Sequence, residues 1–196
     1  MCDKISETCV PTDDDKRLVF DGLCYQLERF LATYNLLLSY KKTNLPNPSL
    51  TDAIFESFLI HARNLFDFFT KPERRGDKDD VLAIDYVSDW KEKKGEVNKK
   101  HNYISSNLAR INKMLAHLTY SGRELEKTWQ VRDIYDDIQA FFIDFSKNVD
   151  PKYFTDRWKN RDITEFLQTS KSPSSIKISF PYCTGGNGPI SSKFSP

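Results

Sequence analysis

The sequence contains three histidines, His61, His101 and His117, and the last of them follows an arginine at a spacing that suits chemistry on a phosphate. Arg110 stands seven residues before His117, nearly two helical turns, so both side chains point to the same side of a helix. A guanidinium can hold phosphate oxygens, and an imidazole can move a proton near neutral pH. Arg110 and His117 are therefore the candidate catalytic pair.

Three further residues are candidates for binding, namely His61, Asn64 and Asn107. His61 falls in the middle of a helical apolar arc, and two interpretations stay open. It is either a core imidazole with one hydrogen-bond partner, or it faces a polar seam with Ser57 and Asn64. Asn107 shares a mixed polar flank with Arg110, which is typical of a cleft, a subunit interface or an ordinary helix boundary.

Four amphipathic helices must position these side chains. Apolar residues recur every three or four positions in each of them. The predicted spans run from Asp13 to just before Leu45, from Ser49 or Thr51 to about Thr70, from Val97 or Tyr103 to Tyr120, and from Thr128 to Asn148. This pattern predicts an all-α fold, an antiparallel four-helix bundle with a short fifth helix at Tyr153–Trp158 and an extended C-terminal tail.

The polar and proline-rich stretches divide the chain into three parts. We expect a flexible leader at 1–12, a helical bundle domain at 13–169 and an extended or disordered tail at 170–196. Within the bundle, residues 72–95 form a long, charged connecting loop. Trp90 and a short apolar patch in this loop indicate that it packs against the bundle at least once.

The segment from Arg110 to His117, RINKMLAH, fits the R-x4–6-H pattern of HEPN proteins, which are small helical bundles of prokaryotic toxin, defence and RNA-processing systems. The predicted helix order resembles theirs, and the segments Phe58–Leu65 and Ile111–Tyr120 look like those of small bacterial proteins. In catalytic members the resemblance implies metal-independent RNA cleavage at a dimer interface. His117 would then transfer the proton, and Arg110 would hold the phosphate. Ile111 departs from the polar residue often found there in active members.

The charge balance and the motifs absent from the sequence limit the kinds of ligand and partner that we expect. The chain has 29 Lys plus Arg against 28 Asp plus Glu, and a net charge of +1 gives no overall attraction to nucleic acid or an anionic membrane. No C-x-x-C pair, zinc-finger spacing or nucleotide-binding motif occurs among the residues, so we expect no metal and no cofactor. The absence of a signal pattern and of a long apolar run leads us to expect a cytoplasmic protein with no membrane partner.

Three functions are consistent with these patterns. One is a structural bundle in which the tail or the 72–95 connection is the recognition element. Another is a bacterial, HEPN-like, non-catalytic interaction module that forms a homodimer and binds a protein partner or a nucleotide. The alternative is a metal-independent endoribonuclease of toxin or defence type, which uses Arg110 and His117 on an RNA partner.

Overall fold

A computed structural model describes residues 11–43, 47–73, 80–116, 128–159 and 177–179 of the chain. These residues are mostly helical, which confirms the all-α prediction. The helices are α1 (Asp13–Thr43), α2 (Pro48–Thr70), α3 (Trp90–Lys100), α4 (Tyr103–Ala116), α5 (Val131–Asn148) and the short α6 (Asp156–Lys159). Single 3₁₀ turns lie at Ala83–Asp85 and Pro151–Tyr153. Most of the predicted leader and tail lies outside the described residues.

Aromatic contacts between the helices show how they run relative to one another. Phe30 of α1 stacks on Phe58 of α2 at 4.9 Å between ring centres, whereas Gln26, one turn earlier, reaches the later residue His61, so α1 and α2 run in opposite directions. Phe66 meets Phe141 of α5 at 5.9 Å. Further contacts of α2 with α5 follow the same direction in both helices, and their buried rings fill the centre of the core.

Side chains just outside the helices start them. The Thr12 hydroxyl accepts from the backbone N–H of Asp15 at 3.2 Å, while the Asp15 carboxylate accepts from Thr12 in return. This reciprocal pair of hydrogen bonds makes Thr12 the N-cap of α1, and Asp13, Asp14 and Asp15 lie in the first turn. Asn47 caps α2 through its side-chain oxygen, with Pro48 in the first turn, so the helix begins just before the predicted start at Ser49 or Thr51.

The connection between α2 and the next helix is shorter than the predicted loop 72–95, because α3 already begins at Trp90. The Trp90 indole N–H donates to the backbone oxygen of Phe69 at 2.7 Å, and Lys94 donates to the oxygen of Thr70 at 2.7 Å. These donors satisfy carbonyl groups that the end of α2 leaves without helical partners. The connection therefore packs against the bundle, as its Trp90 indicated.

The third predicted helix is divided into α3 and α4 by a break at His101 and Asn102. The cause is a carboxylate on another helix. Asp137 of α5 is 4 % exposed and accepts from the backbone N–H of Ile104 at 2.8 Å, in the first turn of α4. A buried acceptor at this position starts a new helix instead of continuing the preceding one.

The described residues also contain two short strands, β1 (Thr128–Gln130) and β2 (Lys177–Ser179), which pair antiparallel. The periodicity predicts a helix from Thr128, but residues 128–130 form β1 and the helix, α5, starts at Val131. The predicted short fifth helix corresponds to the turn at Pro151–Tyr153, which Asp150 caps, and to α6. The strand pair lies beside α4 and thereby shapes the surroundings of Arg110.

Candidate functional site

Arg110 lies where α4 passes the short strand β1. Its guanidinium carbon is 3.7 Å from the centre of the Trp129 ring, and its Nη2 donates to the backbone oxygen of Thr128 at 2.8 Å. A longer contact of 3.5 Å joins its Nη1 to Asn107 Oδ1. Trp129 is only 2 % exposed, so the planar guanidinium is stacked on a buried ring. Arg110 therefore attaches α4 to β1.

Asn107 belongs to the same cluster. Its Nδ2 donates to the backbone oxygen of Tyr103 at 2.8 Å, and the Tyr103 hydroxyl accepts from the backbone N–H of Gln130 at 3.0 Å. The predicted flank of α4 thus faces β1 and contributes polar contacts to it. Sequence reasoning missed Trp129 as the partner of Arg110, because neither spacing nor periodicity relates residues on two separate elements.

His117 lies outside the described residues, since the description of α4 ends at Ala116. The convergence of Arg110 and His117 therefore stays a prediction. A phosphate that bound to Arg110 would have to compete with the carbonyl oxygen of Thr128 for Nη2. The geometry of Arg110 by itself is that of a residue that packs and stabilises the fold.

His61 and Asn64 lie together where the surfaces of α1 and α2 meet. The Nδ1 of His61 is 2.7 Å from Gln26 Oε1, and Asn64 Nδ2 donates to the same oxygen at 3.3 Å. An amide oxygen only accepts, so Nδ1 of the imidazole carries the proton. His61 is half-buried and Asn64 is exposed, which combines features of both earlier interpretations. Gln26, the shared partner, was not identified from the sequence.

The environment of His61 favours its neutral form. Burial lowers the pKa of the imidazole from its ordinary value of 6.5, and the positive charge of Arg29 lowers this pKa further. Tyr25 lies edge-on to the imidazole at 6.3 Å, and the Arg29 guanidinium is 5.2 Å from the centre of the Tyr25 ring. A neutral imidazole at pH 7 is a poor general acid, but it suits a hydrogen-bonded contact surface.

His101 directly follows α3 and lies beside Asp137 of α5. Its Nδ1 lies 3.9 Å from Asp137 Oδ1, and its side chain is 38 % exposed. Burial raises the pKa of Asp137 above its ordinary 3.8, while the N–H of Ile104 and the charge of His101 act in the opposite direction. These contacts hold the break between α3 and α4, and they give His101 a structural setting.

The outer side of α1 exposes large apolar side chains. Leu18 is 75 % exposed, Tyr25 43 % and Leu36 45 %. Their separations of seven and eleven residues are close to two and three whole turns, so they lie along one line of the helix. Together with the residues between them on that line they form what we call the α1 row: Leu18, Gly22, Tyr25, Arg29, Ala32 and Leu36. The signal was present in the sequence as apolar residues opposite the core stripe.

A hollow of about 530 Å³ opens at the end of the α1 row that carries Leu18. Its lining has three carboxylates and one guanidinium and consists of Asp14, Arg17, Leu18, Asp21, Thr155 and Asp156. The Thr155 hydroxyl donates to Asp21 Oδ1 at 2.6 Å. The excess of negative charge favours a basic group in this hollow. Within the described ranges, no group of three or more His, Cys, Asp or Glu could hold a metal ion.

Comparisons with protein-family models, curated proteins and solved structures find no match to this chain. The resemblance to HEPN proteins therefore stays a prediction from the RINKMLAH segment and the helix order. Among the helices of the described residues, none has both the length and the apolar character that crossing a membrane requires.

Proposed function

We propose that the protein is a HEPN-like, non-catalytic interaction module that forms a homodimer through the outer faces of α1 and α2. The α1 row carries this proposal, because it leaves Leu18, Tyr25 and Leu36 in solvent along one line of a long helix. When another protein covers such apolar side chains, their removal from water lowers the free energy of the complex.

The neighbouring surface of α2 supplies the other components of an interface. Ile60 is 45 % exposed, and the polar seam of Gln26, His61 and Asn64 runs beside Tyr25. Aromatic residues and arginine are enriched in protein interfaces, and polar groups commonly surround them. The α1 row and the seam together have this composition.

The ribonuclease alternative has less support from the residues that it needs. Arg110 stacks on Trp129 and donates to Thr128, both parts of the fold, which accounts for an arginine at this position without a substrate. The balance of 29 basic and 28 acidic residues also provides little general affinity for an RNA backbone. These observations favour an interaction role.

Light scattering over protein concentrations from about 1 μM to 1 mM tests the proposal, a range that covers weak as well as tight dimers. The wild type is compared with Leu18→Glu and with the matched control Val19→Glu, a 41 % exposed neighbour on α1 outside the row. We expect the wild type and the control to dimerise and Leu18→Glu to remain monomeric. A monomeric wild type, or a Leu18→Glu variant that dimerises as the wild type does, would refute the proposal.

Incubation of the purified protein with mixed RNA in EDTA tests the absence of catalysis. We expect no cleavage by the wild type, and Arg110→Ala and His117→Ala serve as references. Cleavage by the wild type that both substitutions abolish, with folding retained by circular dichroism, would establish the ribonuclease instead.

A further inference from the structure

The α1 row is complementary to itself when it is read in opposite directions. Positions at equal distances from Leu27 hold residues that suit one another: Leu18 and Leu36, Gly22 and Ala32, Tyr25 and Arg29. We propose that a second copy of the chain lies antiparallel along the α1 row, with the two-fold axis at the height of Leu27 but on the opposite, exposed side of the helix. This inference rests on the proposed interaction function and names the occupant and register of that surface.

Each pair in this register has a physical basis. Leu18 would cover Leu36 of the partner subunit, which removes the two leucines of the row from water. Gly22 and Ala32 are small and exposed, and a β-carbon added at Gly22 would meet no atom within 4 Å, so two backbones can approach closely there. The paired helices would therefore be in contact on both sides of the axis.

The central pair adds a directional contact. Within one subunit the Arg29 guanidinium already lies 5.2 Å from the centre of the Tyr25 ring. In the antiparallel register, the other face of Tyr25 receives Arg29 of the partner subunit. The two-fold axis creates this contact twice, so guanidinium groups and rings alternate along the interface.

Charge at the ends of α1 favours the same direction. The hollow beside Leu18 is lined by three carboxylates and one guanidinium, and the first turn of α1 contains Asp13, Asp14 and Asp15. An antiparallel arrangement keeps the acidic ends of the two subunits apart, at opposite ends of the interface. The helix dipoles are also opposed in this arrangement, which is favourable.

Other registers place unsuitable groups together. In a parallel pair, Arg29 would face Arg29 of the partner subunit, and acidic ends would face acidic ends. A shift of the antiparallel pair by one heptad would put Arg29 opposite Leu18 or Ala32. The row spans about 27 Å of helix and is narrow compared with the ~800 Å² per partner of a standard interface. We therefore expect a dimer that forms in the micromolar range, with α2 adding to the contact.

Cysteine cross-linking tests the register in the full chain. Cys2, Cys9 and Cys183 are changed to serine, and the buried Cys24 is kept. Gly22→Cys and Ala32→Cys are prepared separately, and each is oxidised alone and after mixing. A two-fold axis at the height of Leu27 places position 22 against position 32 of the partner subunit, about 15 Å along the helix from the partner's own position 22.

We expect a covalent dimer in the mixture and at least tenfold less in either variant alone. Strong cross-linking of Gly22→Cys with itself would overturn the antiparallel register. A mixture without cross-links, from variants that light scattering shows to be dimeric, would also overturn it, while the proposed homodimer would stand. A wild type that stays monomeric in light scattering would instead refute the interaction function itself.

Discussion

Replacing Arg110 with alanine separates a structural role of this residue from a catalytic one. The substitution removes the stack on Trp129 at 3.7 Å and the hydrogen bond to Thr128 at 2.8 Å. A cation–π contact contributes about 0.5–2 kcal/mol, and a hydrogen bond from a charged donor about 1.5–3 kcal/mol. The two share one half-buried guanidinium and do not add fully, so we expect a loss of roughly 2 kcal/mol.

Urea denaturation followed by circular dichroism measures this loss, and thermal denaturation provides a second estimate. For a chain of this size, 1 kcal/mol corresponds to about 2–4 °C, so Arg110→Ala should lower Tm by roughly 4–8 °C. Lys113→Ala is the matched control, because Lys113 is exposed on α4 and its replacement also removes one positive charge. We expect its effect to stay within about 0.5 kcal/mol.

Arg110→Lys distinguishes charge from shape. Lysine keeps the positive charge but lacks the planar group that stacks on Trp129 and donates in a fixed direction. We expect it to recover less than half of the lost stability. If Arg110→Ala were as stable as Lys113→Ala, the stacking argument would be refuted, and a role for Arg110 in binding a substrate would gain weight.

Three further predictions concern contacts inside the bundle. Asp137→Ala should destabilise the protein by about 1–3 kcal/mol in urea denaturation, because the N–H of Ile104 loses its buried acceptor; an unchanged midpoint would contradict this. Burial raises the pKa of the Asp137 carboxyl group from 3.8. The contribution of this carboxyl group to the free energy of unfolding is therefore fully present below pH 3.8 and is lost as the pH rises through the raised pKa. The free energy of unfolding of Asp137→Asn minus that of the wild type should therefore increase as the pH rises from 3.8 through the raised pKa. A difference that stays constant with pH would contradict the raised pKa. Trp90→Phe should cost about 1 kcal/mol or more in the same assay, since the carbonyl of Phe69 loses its donor, whereas equal stability would show that this bond is dispensable.

The helices could be predicted because their cause is local. Apolar residues at helical spacing, such as Phe20 and Leu27, become buried wherever the chain packs, and both are at most 3 % exposed. Cys24 lies on the same stripe and is 5 % exposed, as its position among these apolar residues predicts. The break before α4 could not be predicted, because its cause is a carboxylate on α5, at Asp137, far along the chain.

In the candidate site, too, contacts within one helix could be predicted, whereas contacts between separate elements could not. Asn107 and Arg110 share a flank of α4, as their spacing indicated, and the structure brings them within 3.5 Å. His61 and Asn64 share a surface for the same reason. Their partners Trp129 and Gln26 come from other elements, and the periodicity of one helix contains no information about residues that another helix or strand supplies.

The two sides of α1 show why assembly is the stronger functional argument. A surface helix covered on one side is normally polar on the other, and the inner stripe of α1, with Phe30 1 % exposed, already satisfies the core. Packing within the subunit does not require Leu18, Tyr25 or Leu36 on the outer side. Covering each would contribute about 1–2 kcal/mol at their observed exposures. Arg110, by contrast, makes contacts inside the subunit, to Trp129 and Thr128. Among the described residues, the α1 row is therefore the better basis for an interaction role.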